Sequence, residues 1–582
     1  MVTELAALHK KWPQHPDICH LLALAYKAVG DVTLAEKCFI ASLSAKYVQP
    51  QVHNNLANLY NAESIFDRAV SHYQEAIRQK PDYHEAIRNL ALCYGKQGAY
   101  RQAIDTLKIV LRSHSKDVTA MTAIADAYRE TGQHRQAEQN YEQALAVQPD
   151  HVNAWHNRGL NQHLTGHVDQ ALQYYKHALE LRPDQPEVVE SVAMALHERG
   201  STAEGAILLE NFLTQNPTNT HLHERLNEVI WESTDSAKFG SSYEQAISRS
   251  PDSLDLRTSF IGQLIRAGQL ERASEHIKQA LQHLGNVPQL LGLQGRLLAD
   301  QGDFDAAYQQ FKQGLEPGFS EELSKQMTKL CVINERYTEA QNQVSLLLKN
   351  KPDCQLSWAY QSLVWRLTGN AKYQWLIDYD KFVRGYELET PEGYGSIEEF
   401  LQQLISKLHT LHRTINAPLN QTLRNGTQTA ARLFHLPDPE IQSLQAALRV
   451  AVQAYIDDMG TDAAHPLLRR KTGQFEFSGS WSVKLKPKGF HVNHVHPAGW
   501  ISSSCYVSIP SSMTDQPDSE QGSIKFGESP LALGSREVIE KTISPRAGMV
   551  VLFPSYTWHG TIPFEGPDEA FRMTTPFDAV PI

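Results

Sequence analysis

From residue 16 onward the same residue classes return every 34 positions, in windows opening at residues 16, 50, 84, 118, 152 and 186 with no insertion between them. The eleventh place of a window holds Tyr26, Tyr60, Tyr94 or Tyr128. The fifteenth holds Gly30, Gly98, Gly132, Gly166 or Gly200, where one helix must turn into the next. Ala35, Ala69, Ala103, Ala137 and Ala171 stand at the twentieth place, small enough to let helices approach, and Phe39, Tyr73, Tyr141 and Tyr175 fill the space beside them. Pro81, Pro149, Pro183, Pro217 and Pro251 close their windows, where a proline stops the second helix. The pattern predicts two helices per window, with Trp155 and the recurring aromatics as packing. Weaker windows follow around Gly268 and Ala273, around Gly302, Ala307 and Phe311, and, shifted by one residue, around Ala340 and Pro352.

Beyond about residue 356 the spacing changes. LSWAYQSLVWRLTGNAKYQWLIDYDKFVRGYEL is dense in aromatics and reads as a cap sealing the last repeat. Leu and Ile three and four places apart predict supporting helices over 396–413 and 438–459, while the polar, non-periodic NQTLRNGTQTAARLF between them reads as a loop. After residue 475, FEFSG, SWSVKLK, WISSSCYVSI, GSIKFG and MVVLFPSYTWHG predict short strands of a barrel or sandwich. Pro554 inside the last of these demands an edge or a bulge.

At 582 residues the chain exceeds one core, and its 41% hydrophobic and 20% charged residues are ordinary for a folded protein. A formal net charge of -11 leaves no basic field for nucleic acid. The six cysteines stand singly, without CxxC spacing, and read as reduced thiols rather than a zinc ribbon or disulfide framework. No window supplies the ~18 apolar residues of a membrane span, and MVTELAALHKKWPQHPD lacks a signal-peptide core. The expectation is a cytoplasmic protein without membrane contact, whose opening stretch reads as the second helix of an earlier repeat.

Over residues 2–355 the offsets are similar to those of the tetratricopeptide-repeat family. That resemblance implies a superhelix whose concave face holds a protein or peptide. Asn55, Asn89 and Asn157 share one offset. They resemble the asparagine ladder of some peptide-binding repeats, or they form a polar solvated face.

The chemistry gathers in histidines. In GFHVNHVHPAGW, His494 and His496 stand two apart, so on a strand both would project to one face and His491 to the other. His559, 63 residues beyond His496 in TWHGTIPF, completes the close pair plus distant ligand used for facial iron coordination. In FRMTTPF, Arg572 and Thr574 share a face of a strand expected to pair with the one carrying His559, where a guanidinium fork and a hydroxyl suit a carboxylate. His491 and His465 are expected to be ordinary polar or buried residues, and Cys505 packing. Trp500 and Trp558 flank the site as pocket walls or as packing.

TLRNGTQT, GSWSVKL, GFHVNHVHPAGWISSSCYVSIP, GSIKFGESP, SPRAGMVVLFPSYTWHGTIPF and FRMTTPFDAVP together resemble the 2-oxoglutarate/iron(II) oxygenases found fused to tetratricopeptide repeats, over residues 356–582. The resemblance implies a double-stranded β-helix, Fe(II) as metal and 2-oxoglutarate as co-substrate. It places His494, His496 and His559 in the metal region, Arg572 and Thr574 in the 2-oxoglutarate region, and Tyr506 on a neighbouring strand facing the cavity. His496 departs from the wider superfamily, which has a carboxylate two residues after its first histidine, so a site of His494 and His559 with His496 on the co-substrate stays open.

The expected fold class is therefore an α-helical tetratricopeptide-repeat solenoid over 1–355, a helical cap and supporting helices over 356–474, and an all-β double-stranded β-helix (jelly-roll) core over 475–582. The expected function is an iron(II)- and 2-oxoglutarate-dependent dioxygenase, an oxidoreductase hydroxylating a protein or peptide recruited by the repeats. The alternatives are a non-catalytic repeat scaffold with a metal-binding barrel, and a three-histidine cupin-like domain that does without 2-oxoglutarate.

Overall fold

The computed structural model describes residues 1–232, 236–412, 422–429, 433–514 and 519–582, in two compact units, Met1–Val188 and Val189–Ile582.

In the first unit the leading helices of successive pairs are Pro16–Ala28, Pro50–Ala62, His84–Lys96, Val118–Glu130 and Val152–Leu164. Their partners are Val32–Ala45, Phe66–Gln79, Tyr100–Ser113, His134–Val147 and Val168–Leu181. The helix starts thus keep the sequence windows to the residue. Ala35, Ala69, Ala137, Ala171 and the aromatics Phe39, Tyr73, Tyr141 and Tyr175 are fully buried between the helices. Gly159 is needed for close approach, since a Cβ there would lie 2.5 Å from the ring of Tyr175. The three asparagines bond to the preceding repeat: Asn55 Nδ2 to His20 Nε2 at 3.0 Å, Asn89 Nδ2 to Asn54 Oδ1 at 3.1 Å, and Asn157 Nδ2 to Asp126 Oδ1 at 2.9 Å.

Each inter-helix turn passes through one left-handed residue. Gly30, Gly98, Gly132 and Gly166 take φ of 81°, 77°, 72° and 80°, but in the second window the same place is Ser64, at φ 59°. A Cβ costs energy in that region. Ser64→Gly is therefore expected to stabilise this unit by about 0.5–1 kcal/mol, net of the glycine's greater freedom when unfolded. The check is a higher urea midpoint at unchanged slope.

In the second unit the pairing continues through Leu254–Arg266 with Leu270–Leu284, Pro288–Asp300 with Phe304–Leu315, and Glu321–Ile333 with Tyr337–Asn350. The segment expected to cap the array opens as one more leading helix, Gln355–Leu367, followed by short helices Lys372–Leu376 and Tyr379–Phe382. Helices Ile397–Leu411 and Pro439–Asp458 occupy the two predicted supports, the first capped by Ser396 Oγ, which accepts from Glu399 N.

Eleven antiparallel strands are found among the described residues: β1 Arg384–Glu387, β2 Leu423–Gln428, β3 Phe475–Ser480, β4 Val483–His491, β5 Ile501–Ser508, β6 Ile524–Phe526, β7 Lys541–Ile543, β8 Met549–Pro554, β9 His559–Thr561, β10 Arg572–Thr574 and β11 Phe577–Pro581. One sheet runs β1-β8-β5-β10-β4-β2, with β11 joining β3 and β5; a second runs β7-β6-β9. This is the all-β double-stranded β-helix class on helical supports. Pro554 lies beyond the last β1 partner of β8, so its missing N–H costs no ladder bond on that side.

Two expectations are corrected. The segment read as a loop contains β2, which pairs with β4 through a register shift between Arg424 and Gly426. Asn425 is left-handed at φ 53°, and a Cβ on Gly426 would meet Lys484 O at 2.5 Å, so this bulge removed the alternation a strand normally shows. Residues 413–421 and 430–432, which include both flanks of that segment, lie outside the described residues. The strand bearing Arg572, β10, pairs with β4 and β5, whereas His559 on β9 pairs with β6.

The last repeats and the β domain share one core, from Phe311 and Leu330 through Leu363, Phe400 and Leu448 to Trp500, Val550 and Trp558. Trp558 Nε1 donates to Ala359 O at 3.0 Å and Trp500 Nε1 to Leu467 O at 2.8 Å, so both tryptophans are packing. Arg536 donates to Val332 O and Ile333 O at the C-terminal end of a repeat helix. All six cysteines are free thiols, and no helix among the described residues is long and apolar enough to cross a membrane.

His465 is buried beside Trp375, Phe382 and Tyr556, its Nε2 without a partner. Burial lowers its pKa from the ordinary 6.5 to about 4. The unfolded chain takes up this proton first as pH falls, so the stability His465 contributes is complete above pH 6.5 and drains away towards pH 4. We expect about 2 kcal/mol of destabilisation from this residue between pH 7 and pH 5, which His465→Leu should remove from the pH dependence of urea unfolding.

Candidate metal and co-substrate site

β4 ends at His491, and the chain then leaves the strand for the stretch that carries His494 and His496. His494 is held by a two-way backbone bridge to His559, with N to O distances of 2.8 and 3.1 Å, and His496 N donates to Ser555 O at 3.0 Å. Their ligand atoms, with that of His559, all lie within 4.8 Å of one another. No other group of three or more potential ligands gathers in this way among the described residues.

The outer nitrogens fix the tautomers. His494 Nδ1 lies 2.8 Å from Val492 O, and His559 Nδ1 lies 2.9 Å from Thr557 O. A carbonyl only accepts, so each Nδ1 carries the proton and each Nε2 presents a lone pair. His496 Nδ1 lies 2.6 Å from the Asp578 carboxylate and its Nε2 is 3.2 Å from His494 Nε2. Burial and neighbouring imidazoles push His494 down to about 3 and His559 well below the ordinary range, so both are neutral at physiological pH. The His494 Nε2 lone pair therefore faces His496 Nε2, a position where a bound cation would be shared. Neutral imidazoles backed at Nδ1 are the donor set of a metal centre, so the residues present fit a divalent metal such as iron(II).

These imidazoles line a cavity of about 290 Å³ that also takes in Arg572, Thr574 and Asp578. Arg572 is 2% exposed, and Nη1 donates to Gly522 O at 2.5 Å while Nε has no partner. Among the described residues no carboxylate pairs with this buried cation. Tyr506, fully buried on the adjacent strand, lies under the guanidinium at 5.9 Å, stands opposite Thr574 in the β5–β10 register, and has an unpartnered hydroxyl. Arg572 and Thr574 line the cavity, Tyr506 does not, and the buried guanidinium keeps hydrogen-bonding capacity with no partner.

Three wall residues escaped sequence reasoning. His491 lines the cavity, its ring centroid 6.0 Å from that of His494 and its Nδ1 3.1 Å from Thr422 Oγ1. The parity that turned it away holds only within a strand, and the strand stops there. Trp481 stacks on His496 at 6.0 Å, and Asp578 reaches His496 from β11; no short-range spacing could have announced either contact.

Residues 479–578 match the sequence model of a family described as "Putative 2OG-Fe(II) oxygenase". Residues 20–84, 62–126 and 116–184 match three models described as "Tetratricopeptide repeat". Similar solved structures include a thermophilic TPR protein of Thermus thermophilus, 23% identical with a TM-score of 0.29, covering 31% of this chain and 100% of that one. Another is a tetratricopeptide repeat protein from Parabacteroides merdae, 18% identical with a TM-score of 0.28, covering 48% and 98%. No curated protein matches the chain.

Proposed function

We propose that this chain, a tetratricopeptide-repeat protein with a C-terminal domain of the 2OG-Fe(II) oxygenase family, is a dioxygenase that couples decarboxylation of 2-oxoglutarate to hydroxylation of a protein or peptide. One observation carries the reading. A triad of imidazoles, two of them fixed with Nε2 free by carbonyls at Nδ1, shares a cavity with a buried arginine that has no acidic partner among the described residues.

On this reading His494, His496 and His559 hold iron(II), which supplies dioxygen activation when bound together with 2-oxoglutarate. Arg572 grips the distal carboxylate of 2-oxoglutarate, with Thr574 and Tyr506 as further donors. Residues 1–355 recruit the substrate, 356–474 support the reacting domain and 475–582 form it. The preference for a protein or peptide rests on the repeats, whose usual ligands are extended chains or helices.

The test is anaerobic loading with iron(II), followed by oxygen and 2-oxoglutarate without added substrate. Succinate formed above the metal-free control supports the dioxygenase. Bound iron without succinate, on its own and with peptides captured by the repeats, would favour a non-catalytic scaffold.

A further inference from the structure

Of the three imidazoles of the site, His496 alone has a carboxylate at Nδ1, that of Asp578. We infer that Asp578 is the positioning carboxylate of this site: it fixes His496 in the Nδ1–H tautomer and places a negative charge behind that imidazole. The inference rests on the metal-centre reading proposed above.

Asp578 belongs to β11, whose register sets it opposite Ser502 of β5. Its Oδ1 accepts from Ser502 Oγ at 2.6 Å and faces His496 Nδ1 at 2.6 Å, while Ser502 Oγ also meets Ser555 Oγ at 2.8 Å. Ser502 and Ser555 are fully buried. A side chain at Gly499 would collide with Ser555 Oγ, so the backbone closes directly over this group. Trp481 stacks on the face of His496, leaving the ring held at one edge and one face with Nε2 directed towards His494.

No lysine or arginine pairs with Asp578 among the described residues; its only cationic-capable partner is His496. A carboxylate only 15% exposed is stabilised by a compensating charge. An imidazole bonded to it at Nδ1 and to a divalent cation at Nε2 provides one through the ring, and the carboxylate strengthens the imidazole as a donor. His494 and His559 have only carbonyls behind them, so His496 is the ligand singled out for this support.

The test uses the full chain with cobalt(II) alone as probe. Asp578→Asn keeps the shape and an acceptor for Ser502 but removes the charge. It is expected to weaken cobalt(II) binding roughly 10- to 100-fold in chelator competition and to shift the visible cobalt bands. In the metal-free protein, nitrogen NMR of His496 should show the Nδ1–H tautomer in the wild type and its loss in Asp578→Leu, which offers Nδ1 no acceptor. Wild-type affinity in a folded Asp578→Asn, or an unchanged tautomer in a folded Asp578→Leu, would overturn the inference while leaving the metal centre standing. If neither Asp578 variant folds, Ser502→Ala decides: weaker cobalt binding supports the role and wild-type binding overturns it. His559→Ala binding cobalt(II) as tightly as the wild type would remove the metal centre itself, and the inference with it.

Discussion

Replacing Arg572 by methionine is expected to make the metal-loaded protein lose 2-oxoglutarate while making the ligand-free protein more stable. The two effects have one cause. The guanidinium is buried, donates once to Gly522 O and leaves Nε unpartnered, so the folded chain carries a desolvated charge. Burial accordingly lowers the pKa of Arg572. An apolar side chain of similar length removes that cost, for a gain of at least about 1 kcal/mol. On the proposed function the same charge is matched by a carboxylate in the complex, and truncating one partner of a buried charge pair costs about 2 kcal/mol or more, at least ~30-fold in affinity. Arg572→Lys keeps the charge without the planar fork and should fall between the two. Calorimetric titration of 2-oxoglutarate and urea unfolding without it read the two halves separately. A variant that is destabilised instead would mean that the buried guanidinium carries no uncompensated desolvation cost.

The repeats were legible because each position's role is local. A glycine at the turn, an alanine at the crossing and a proline at the exit act within one window, and Pro16, Pro50, His84 and Val118 each open a helix on schedule. Where Ser64 replaces the turn glycine the backbone still goes left-handed, which shows that packing of the neighbouring helices overrides one unfavourable residue. The β domain was legible as strands where alternation survived and illegible at β2, where Asn425 and Gly426 make a bulge. In the site, the histidines could be singled out because ligand chemistry restricts residue type. Their supports could not: carbonyls of Val492 and Thr557 are backbone atoms that every residue has, and Asp578 meets His496 across 82 residues. His491 shows the limit of parity, because an inference about faces ends where the strand ends.

Replacement of His559 by alanine is expected to abolish metal binding at micromolar concentrations and leave the fold in place. The backbone bridge between His494 and His559 uses N–H and C=O groups that alanine retains, so the two segments remain joined. The ring itself touches Phe553 and Phe526, and its loss leaves a small apolar void that costs stability without unpairing a buried group other than Thr557 O. A removed supporting hydrogen bond costs a metal site about 10- to 100-fold, and a removed ligand exceeds that, so we expect a loss of more than about 100-fold for iron(II) or cobalt(II). His494→Ala should behave alike. His491→Ala is the informative contrast, since His491 lines the same cavity but stands outside the converging triad. It should keep metal within about threefold, the scatter expected of a residue that only borders the site. Equal losses in His491→Ala and His559→Ala would mean that the cavity as a whole, rather than three aimed lone pairs, retains the ion. The division between aimed ligands and bordering walls would then have to be redrawn.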